Sequence, residues 1–504
     1  MTAVLPARPG VASGTGTAPA LAAPWLGIAV PVAIGLLGFV LRLLVMLRGG
    51  GLTGFGAYDD GVYYAAADAL VHGRLPYRDF LFIQPPGIVV AAAPFAALGS
   101  VLGDQVGIAV GRLAFEAVGG LNAVLVFLNL RRFGRPAAIV GGVLYAVLLP
   151  AVYAERSILL EPIGTLGILA ALLLLTRDDR RGFALAAGAA AAVAVDLKIW
   201  YIVPAVLIGV LGTRRVLRYA LGFGAGLVAC YGPFFLAAPG ASWREIVLDQ
   251  LGRPRIPGVW HRFEGILAAH AIGPLTLRES TVVLLLLALA ALVVAARTPG
   301  ARLYAVLLVA DGLVLLASPS WFIHYAVLTA PPLALCVGVA AGALARRLPQ
   351  RAWVRIAATV AVVALLVGAG AREDQRLKSG VPTPAALVVA MQHVRGCITS
   401  DDPTLLAVTG VLSRDLGEAG CPVWPDVTGW TYDSPLDRTT TGAFIPRPED
   451  DHWQRLVLAY LESGRATITV RTDTGLSTAT RDELAERAPL FTDGRYVLRP
   501  THQG

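Results

Sequence analysis

Two adjacent carboxylates, Asp59 and Asp60, stand in the run Tyr58-Asp59-Asp60-Gly61-Val62-Tyr63-Tyr64, just past the first long apolar segment of a 504-residue chain. A carboxylate within hydrogen-bond reach of a hydroxyl can take its proton and make it a nucleophile. Arg74, Arg78, Arg156 and Lys198 are cations suited to a phosphate. A base for an acceptor hydroxyl and charge for a departing phosphate are the two parts that group transfer from a phosphate ester requires. A plainer reading fits the same residue types. Asp is a favoured helix N-cap and suits the positive helix end, so either acid could simply start the helix expected from Gly61.

The elements that must position these residues are membrane spans. The chain is 56% hydrophobic and 15% charged, with a mean hydropathy of +0.66. Runs of about 18 or more apolar residues recur, which predicts a polytopic α-helical membrane protein. The net charge of +8 does not point to nucleic acid, because the arginines fall mostly in short loops between apolar runs and read as topology signals. Residues 1–23 are expected to be disordered. The run from Trp25 to Leu47 is too long for a signal-peptide core and reads as a retained first span.

Residues 87–103 decide the topology. If they span, every later arginine cluster faces the wrong side. If they are interfacial or re-entrant, span two covers about 106–130, and the clusters at Arg131/Arg132/Arg135, Arg177/Arg180/Arg181, Arg214/Arg215/Arg218, Arg297/Arg302 and Arg346/Arg347/Arg351/Arg355 all face the cytoplasm. Further spans are expected near 136–152, 158–176, 183–197, 199–213, 219–238, 281–296, 303–317, 326–345 and 354–371, about 11 in all. Residues 24–371 form the membrane domain. Its outer loop, 48–105, carries interfacial helices, one of them at 61–72, with a turn at 73–77. Asp59, Asp60, Arg74, Arg78, Glu155, Arg156, Glu161, Asp196, Lys198 and His324 then gather at the outer face with the long loop 239–280. Ionisable groups at membrane depth are costly and need a partner or a function. Residues 372–504 are more polar and read as a small extracytoplasmic α/β domain, with helices at 383–395 and 452–463 and strands at 404–409, 466–471 and 495–499. Cys397 and Cys421 share that domain, and an oxidising compartment is expected to pair them. Cys230 and Cys336 lie in apolar runs.

Several chemistries find no motif. There is no P-loop, no HExxH, no paired CxxC and no GxSxG elbow. Outside the cytoplasmic membrane there is no nucleotide sugar, so a transferase there needs a donor held in the lipid. A polyprenyl-phosphate sugar meets that need: its phosphate is the leaving group and its tail lies among the spans.

The order of features resembles the GT-C superfamily of membrane glycosyltransferases, and within it the branch of protein O-mannosyltransferases and lipid A aminoarabinose transferases. Asp59-Asp60 matches the acidic pair of the first outer loop, and Pro85-Pro86-Gly87 the Pro-Pro before the next apolar segment. Arg156 through Glu161-Pro162 matches the opening of the fourth span, Lys198 the lysine ending a short span, and His324-Tyr325 with Pro331-Pro332 the outer His-Tyr. The resemblance covers about residues 25–371. It implies an inverting glycosyltransferase that moves mannose or arabinose from a polyprenyl-phosphate donor to an envelope glycan, glycolipid or protein. Asp59 would be the base and Asp60 would orient it or the acceptor. Arg74, Arg78, Arg156 and Lys198 would hold the donor phosphate, and Tyr58, Tyr63, Gln84, Glu161 and His324 would line the substrate site. Relatives carry an acid and a lysine before the Pro-Pro, where the acid can bind metal. Ile83 and Gln84 stand here instead, so no essential metal is expected. A divalent cation, were one required, would turn to Asp60 and His324. The rival readings are a transporter or flippase of lipid-linked sugars, which would show mid-membrane charged sites, broken spans and inverted repeats, and a non-catalytic assembly protein acting through residues 372–504.

Overall fold

The computed structural model describes residues 26–56, 58–176, 181–253, 258–272, 274–349, 351–375, 377, 380–433, 445–471 and 475–502. The N-terminal tail 1–23 lies outside these. The first ten helices are α1 (Leu26–Arg48), α2 (Tyr58–Val71), α3 (Gly87–Leu102), α4 (Asp104–Leu130), α5 (Arg135–Val147), α6 (Leu149–Ala154), α7 (Glu161–Leu175), α8 (Arg181–Leu197), α9 (Ile202–Leu211) and α10 (Val216–Ala237). Long helices follow at Leu277–Arg297, Arg302–Ala317, Ala330–Arg347 and Ala352–Asp374. Among the described residues, six helical stretches are long and apolar enough to cross a membrane, and five shorter apolar helices lie between them. The apolar segments drawn from the sequence fall on these helices. The expected 136–152 span is broken at Leu148, whose backbone is extended (ψ 119°). Pro150, in the first turn of α6, has no N–H to continue the helix from α5.

The bundle is stitched by buried ion pairs as well as apolar contact. Arg42 of α1 reaches Glu155 at 2.6 Å, and both are fully buried. Asn122 and Tyr145 each donate to the same carboxylate at 2.7 Å. Glu155, expected at the outer face, is therefore a cross-link between α1, α4, α5 and α6. Small residues let helices approach. A Cβ on Gly141 would stand 2.9 Å from the Ala334 carbonyl oxygen, so α5 and the helix Ala330–Arg347 meet backbone to backbone.

One expectation about the outer loop is corrected. Helix α2 does not lie flat at an interface, for Asp60 through Ala69 are all buried. It is clamped between the membrane bundle and the C-terminal domain, and its many alanines allow that. Helix α3 has 16 residues, about 24 Å at 1.5 Å per residue, which is short of the ~30 Å hydrocarbon core.

The C-terminal domain is built on a four-stranded sheet. With β1 (Phe55–Gly56) and β2 (Gly380–Val381) forming a separate antiparallel pair, the remaining strands are β3 (Ile398–Ser400), β4 (Ala466–Thr469), β5 (Phe491–Asp493) and β6 (Tyr496–Pro500), in the order β3-β4-β6-β5. β3 runs parallel to β4, and the other neighbours are antiparallel. Helices Ala385–His393 and Asp451–Leu461 stand where expected. The expected strand at 404–409 is instead the helix Pro403–Val408. Asp402 caps it by accepting from the Thr404 N–H, Pro403 fits its first turn, and all six helical residues are buried. A helix buried all round shows no period, so it reads like a core strand. This helix packs on α2 at Gly61, where a Cβ would come within 2.5 Å of the Thr404 Cα. Cys397 and Cys421 are bonded, with Cα atoms 5.5 Å apart.

Candidate active site

A cavity of about 460 Å³ lies where α2, the α6–α7 connection, the end of α8 and the C-terminal domain meet. Tyr58, Asp59, Val62 and Tyr63 line it from α2, a spacing that repeats along one helix face. Gln84 reaches it from the segment before Pro85-Pro86. Tyr77 holds that segment: its backbone is left-handed (φ 67°), a strained choice for a bulky residue, and its hydroxyl donates to the Gln84 carbonyl at 2.6 Å. Gly87 then starts α3 against the end of α8, where a Cβ would sit 2.6 Å from the Asp196 carbonyl oxygen.

The cavity is cationic. Arg156, Lys198, Arg253, Arg447 and Arg471 line it against the carboxylates of Asp59 and Asp426. Five positive groups against two negative ones favour an anion. Lys198 is held on three sides. Its ammonium donates to Glu161 Oε1 at 2.6 Å and lies 4.0 Å from the Trp200 ring and 4.2 Å from the Tyr325 ring. Glu161 opens α7, where an acid suits the positive helix end. Arg156 stacks 3.7 Å over Tyr153 and donates to that residue's carbonyl oxygen. Arg253 donates to the Tyr325 hydroxyl at 3.2 Å. His324 stacks on Phe322 beside them.

The two acids separate. Asp59 is half-buried on the cavity wall, and its carboxylate makes no hydrogen bond among the described residues. Burial pushes its pKa up to about 6, with a further rise from the Asp426 and Glu161 charges against the lowering effect of Lys198 and Arg253. Asp60 is buried and does not reach the cavity. Its Oδ2 accepts from Arg112 at 2.6 and 2.9 Å and from Ser157 at 2.5 Å. Successive helical residues point about 100° apart, which is why adjacent acids end in different surroundings. Asp60 ties α2 to α4, and Arg112 also gathers the Leu52 and Gly54 carbonyls.

Two expected phosphate ligands are corrected. Arg74 donates to the Cys421 and Leu416 carbonyls, so it fastens the C-terminal domain. Arg78 is half exposed and pairs with Asp79. Glu161 pairs with Lys198 and does not line the wall. Tyr58, Tyr63, Gln84, Arg156, Lys198 and His324 do line it. Among the described residues no group of three or more His, Cys, Asp or Glu side chains could hold a metal.

The sequence reading missed the residues by which the C-terminal domain lines the cavity. Asp426 accepts from the Tyr58 hydroxyl at 2.9 Å, and the Thr428 N–H donates to the same hydroxyl oxygen. Arg471 bonds Asp402 and lies 5.0 Å from the Tyr58 ring. Asp426, Thr428 and Arg471 come from loops more than 350 positions beyond α2, and no local pattern marks them. Tyr153 and Arg253 also lay outside the expected set.

No protein-family model matches the chain, and no curated protein matches it. Its fold has solved counterparts. ArnT from Cupriavidus metallidurans bound to undecaprenyl phosphate aligns with a TM-score of 0.61 at 16% identity, over 95% of this chain and 98% of that one. Archaeal oligosaccharyltransferase AglB from Archaeoglobus fulgidus, in complex with an inhibitory peptide and a dolichol-phosphate, aligns with a TM-score of 0.53 at 12% identity, over 89% of this chain and 70% of that one. At such identities the likeness is one of fold. The chain is a polytopic helical protein with a small C-terminal α/β domain.

Proposed function

We propose that the protein is an inverting membrane glycosyltransferase that takes its sugar from a polyprenyl-phosphate donor at the extracytoplasmic face. The observation that carries this reading is the placing of Asp59, a carboxylate with no hydrogen bond among the described residues, in one cavity with Arg156, Lys198 and Arg253. The fold of structures solved with undecaprenyl phosphate and dolichol-phosphate supports a lipid phosphate as the anion.

In this reading Arg156, Lys198 and Arg253 hold the donor phosphate by charge-assisted hydrogen bonds. The acceptor hydroxyl attacks the anomeric carbon from the side opposite the phosphate. The bond from that carbon to the phosphate oxygen breaks, its electron pair leaves with the polyprenyl phosphate, and the hydroxyl proton passes to Asp59. A base with a pKa of about 6 is largely ionised at neutral pH yet more basic than an ordinary carboxylate, as a general base should be. Mannose and arabinose are the proposed sugars. Tyr58, Tyr63, Gln84 and His324 are proposed to orient donor and acceptor, with Glu161 fixing Lys198. The arginine clusters support a cytoplasmic N-terminus and an outer C-terminal domain.

The test is transfer from synthetic polyprenyl-phosphate mannose and arabinose by the purified full chain, reading release of polyprenyl phosphate in the presence of cell-envelope extract. Release that depends on the extract and on Asp59 supports the reading. Absence of release from either donor overturns it.

A further inference from the structure

A second, smaller cavity of about 140 Å³ shares Asp426 with the first. Its character differs. Trp424 and Trp430 of the C-terminal domain face Phe80 of the α2–α3 loop, with Asp79 and Arg74 at its polar edge. The cation excess of the large cavity is gone, since Asp79 and Asp426 stand against Arg74. Such a site suits a neutral, polyhydroxylated ligand better than a phosphate.

Trp424 stacks on Tyr460 with ring centres 4.3 Å apart and planes within 7°. Trp430 is tilted against Trp424 at 4.9 Å. Both tryptophans are half-buried, whereas Trp453 of the same domain is fully buried. The Cys397–Cys421 bond, Pro422 and Pro425 hold the loop that carries Trp424, so the platform is preorganised and costs little to order on binding. Asp426 Oδ1 is fully engaged, by Tyr58, Thr428 and the Gly429 N–H. Its Oδ2 has no hydrogen bond among the described residues.

We propose that this cavity is the acceptor subsite, that it takes a saccharide ring, and that the acceptor is therefore itself a carbohydrate. The proposal rests on the transferase reading above and names its substrate class. A pyranose or furanose ring presents a face of C–H bonds and a rim of hydroxyls. The C–H face lies on the tryptophans, whose rings offer large, rigid apolar area. The rim hydroxyls donate to Asp426 Oδ2 and Asp79. Asp426 joins the two cavities: it lines both, and it accepts from the hydroxyl of Tyr58, which lines the large one with Asp59. The large cavity would hold the donor phosphate and the small one the sugar that receives.

The experiment uses the full chain in detergent and asks whether it binds methyl α-mannopyranoside, methyl α-arabinofuranoside or methyl N-acetylglucosaminide, read by saturation-transfer NMR and tryptophan fluorescence. A serine/threonine peptide is the contrasting probe. At least one glycoside should bind. Trp430→Ala should weaken it about 10-fold or more, and the packing-conserving Trp430→Phe less. In the transfer assay Trp430→Phe should raise KM for the acceptor while kcat and the donor KM stay near wild type. If no glycoside binds, if binding is equal in Trp430→Ala and wild type, or if only the peptide binds, the subsite is overturned. Tryptophan-dependent glycoside binding in a protein that releases no polyprenyl phosphate would uphold a saccharide site in this cavity and overturn both the transferase reading and the acceptor role.

Discussion

The carboxylates of Asp68 on α2 and Asp104 at the start of α4 both rest on one hydroxyl, that of Ser413 in the C-terminal domain. A hydroxyl has one proton to give, so the second contact is favourable only if one carboxyl is protonated. Asp104 also accepts from the Ser413 N–H at 3.1 Å. Asp68 is faced by Ser100 at 3.4 Å and by His72 Nδ1 at 3.3 Å. Burial, then the Asp104 charge, pushes the pKa of Asp68 up to about 7.

A raised carboxyl pKa means that the folded protein binds the proton more tightly than the unfolded chain. The stability this gives is fully present below about pH 4 and is lost as pH rises to about 7, by at most ~1.4 kcal/mol per unit. The C-terminal domain should therefore melt or be proteolysed more readily at pH 7.5 than at pH 5. Asp68→Asn, whose amide can donate to Ser413 at any pH, should flatten that dependence. Thermal unfolding of the two proteins across pH 5–8 is the check, and identical slopes would remove the shared proton.

The adjacent acids Asp59 and Asp60 should fail differently when changed. Asp59→Asn should leave the fold intact and lower transfer at least ~100-fold, the usual contribution of a general base. The wild-type rate should fall about tenfold per unit below pH 6, following protonation of Asp59. Because the folded-state pKa of Asp59 is also raised, its charge costs stability above about pH 6. Asp59→Asn should then melt no lower than wild type at pH 8. Asp60→Asn removes one partner of a buried ion pair with Arg112 and should cost roughly 3–5 kcal/mol. Turnover per folded molecule and melting temperature, measured for both, separate base from brace. Normal turnover in Asp59→Asn would end the catalytic assignment.

How much of this was legible in the sequence follows from how each residue is held. The spans were readable because lipid-facing helices must be apolar throughout their length. Asp59, Arg156, Lys198 and His324 were readable because they stand beside spans in a motif order. Arg74 and Asp60 misled, since residue type and location cannot tell a cation that grips a carbonyl or an acid that grips an arginine from one that faces a cavity. Asp426, Arg447 and Arg471 were invisible because a distant loop brings each to the site and no period or spacing links them to Asp59. The helix Pro403–Val408 was mistaken for a strand because it is buried all round.

The Cys397–Cys421 bond closes a loop of 24 residues and should stabilise the C-terminal domain by about 3 kcal/mol. Alkylation of the full chain with and without reductant, followed by mass spectrometry, should label neither cysteine until reductant is added. Arg74 donates to the Cys421 carbonyl, so reduction should also loosen the Trp424 loop and raise the acceptor KM before it alters the donor KM. Labelling of both thiols without reductant would dismiss the bond.

Lys198 offers the sharpest test of the donor side. Glu161 and the rings of Trp200 and Tyr325 fix its ammonium, and Lys198 lines the cavity beside Arg156 and Arg253. A hydrogen bond between charged partners contributes about 1.5–3 kcal/mol, so Lys198→Met should weaken donor binding by roughly 10- to 100-fold. Glu161→Gln keeps the lysine but loosens its placing and should cost less. If Glu161 acts only through Lys198, the double variant should be no worse than Lys198→Met alone, a coupling that independent contacts would not show. Donor KM and kcat for the three variants, with melting temperatures to exclude unfolding, decide it. Additive losses would place Glu161 on the substrate directly, and an unchanged donor KM in Lys198→Met would move the phosphate to the arginines.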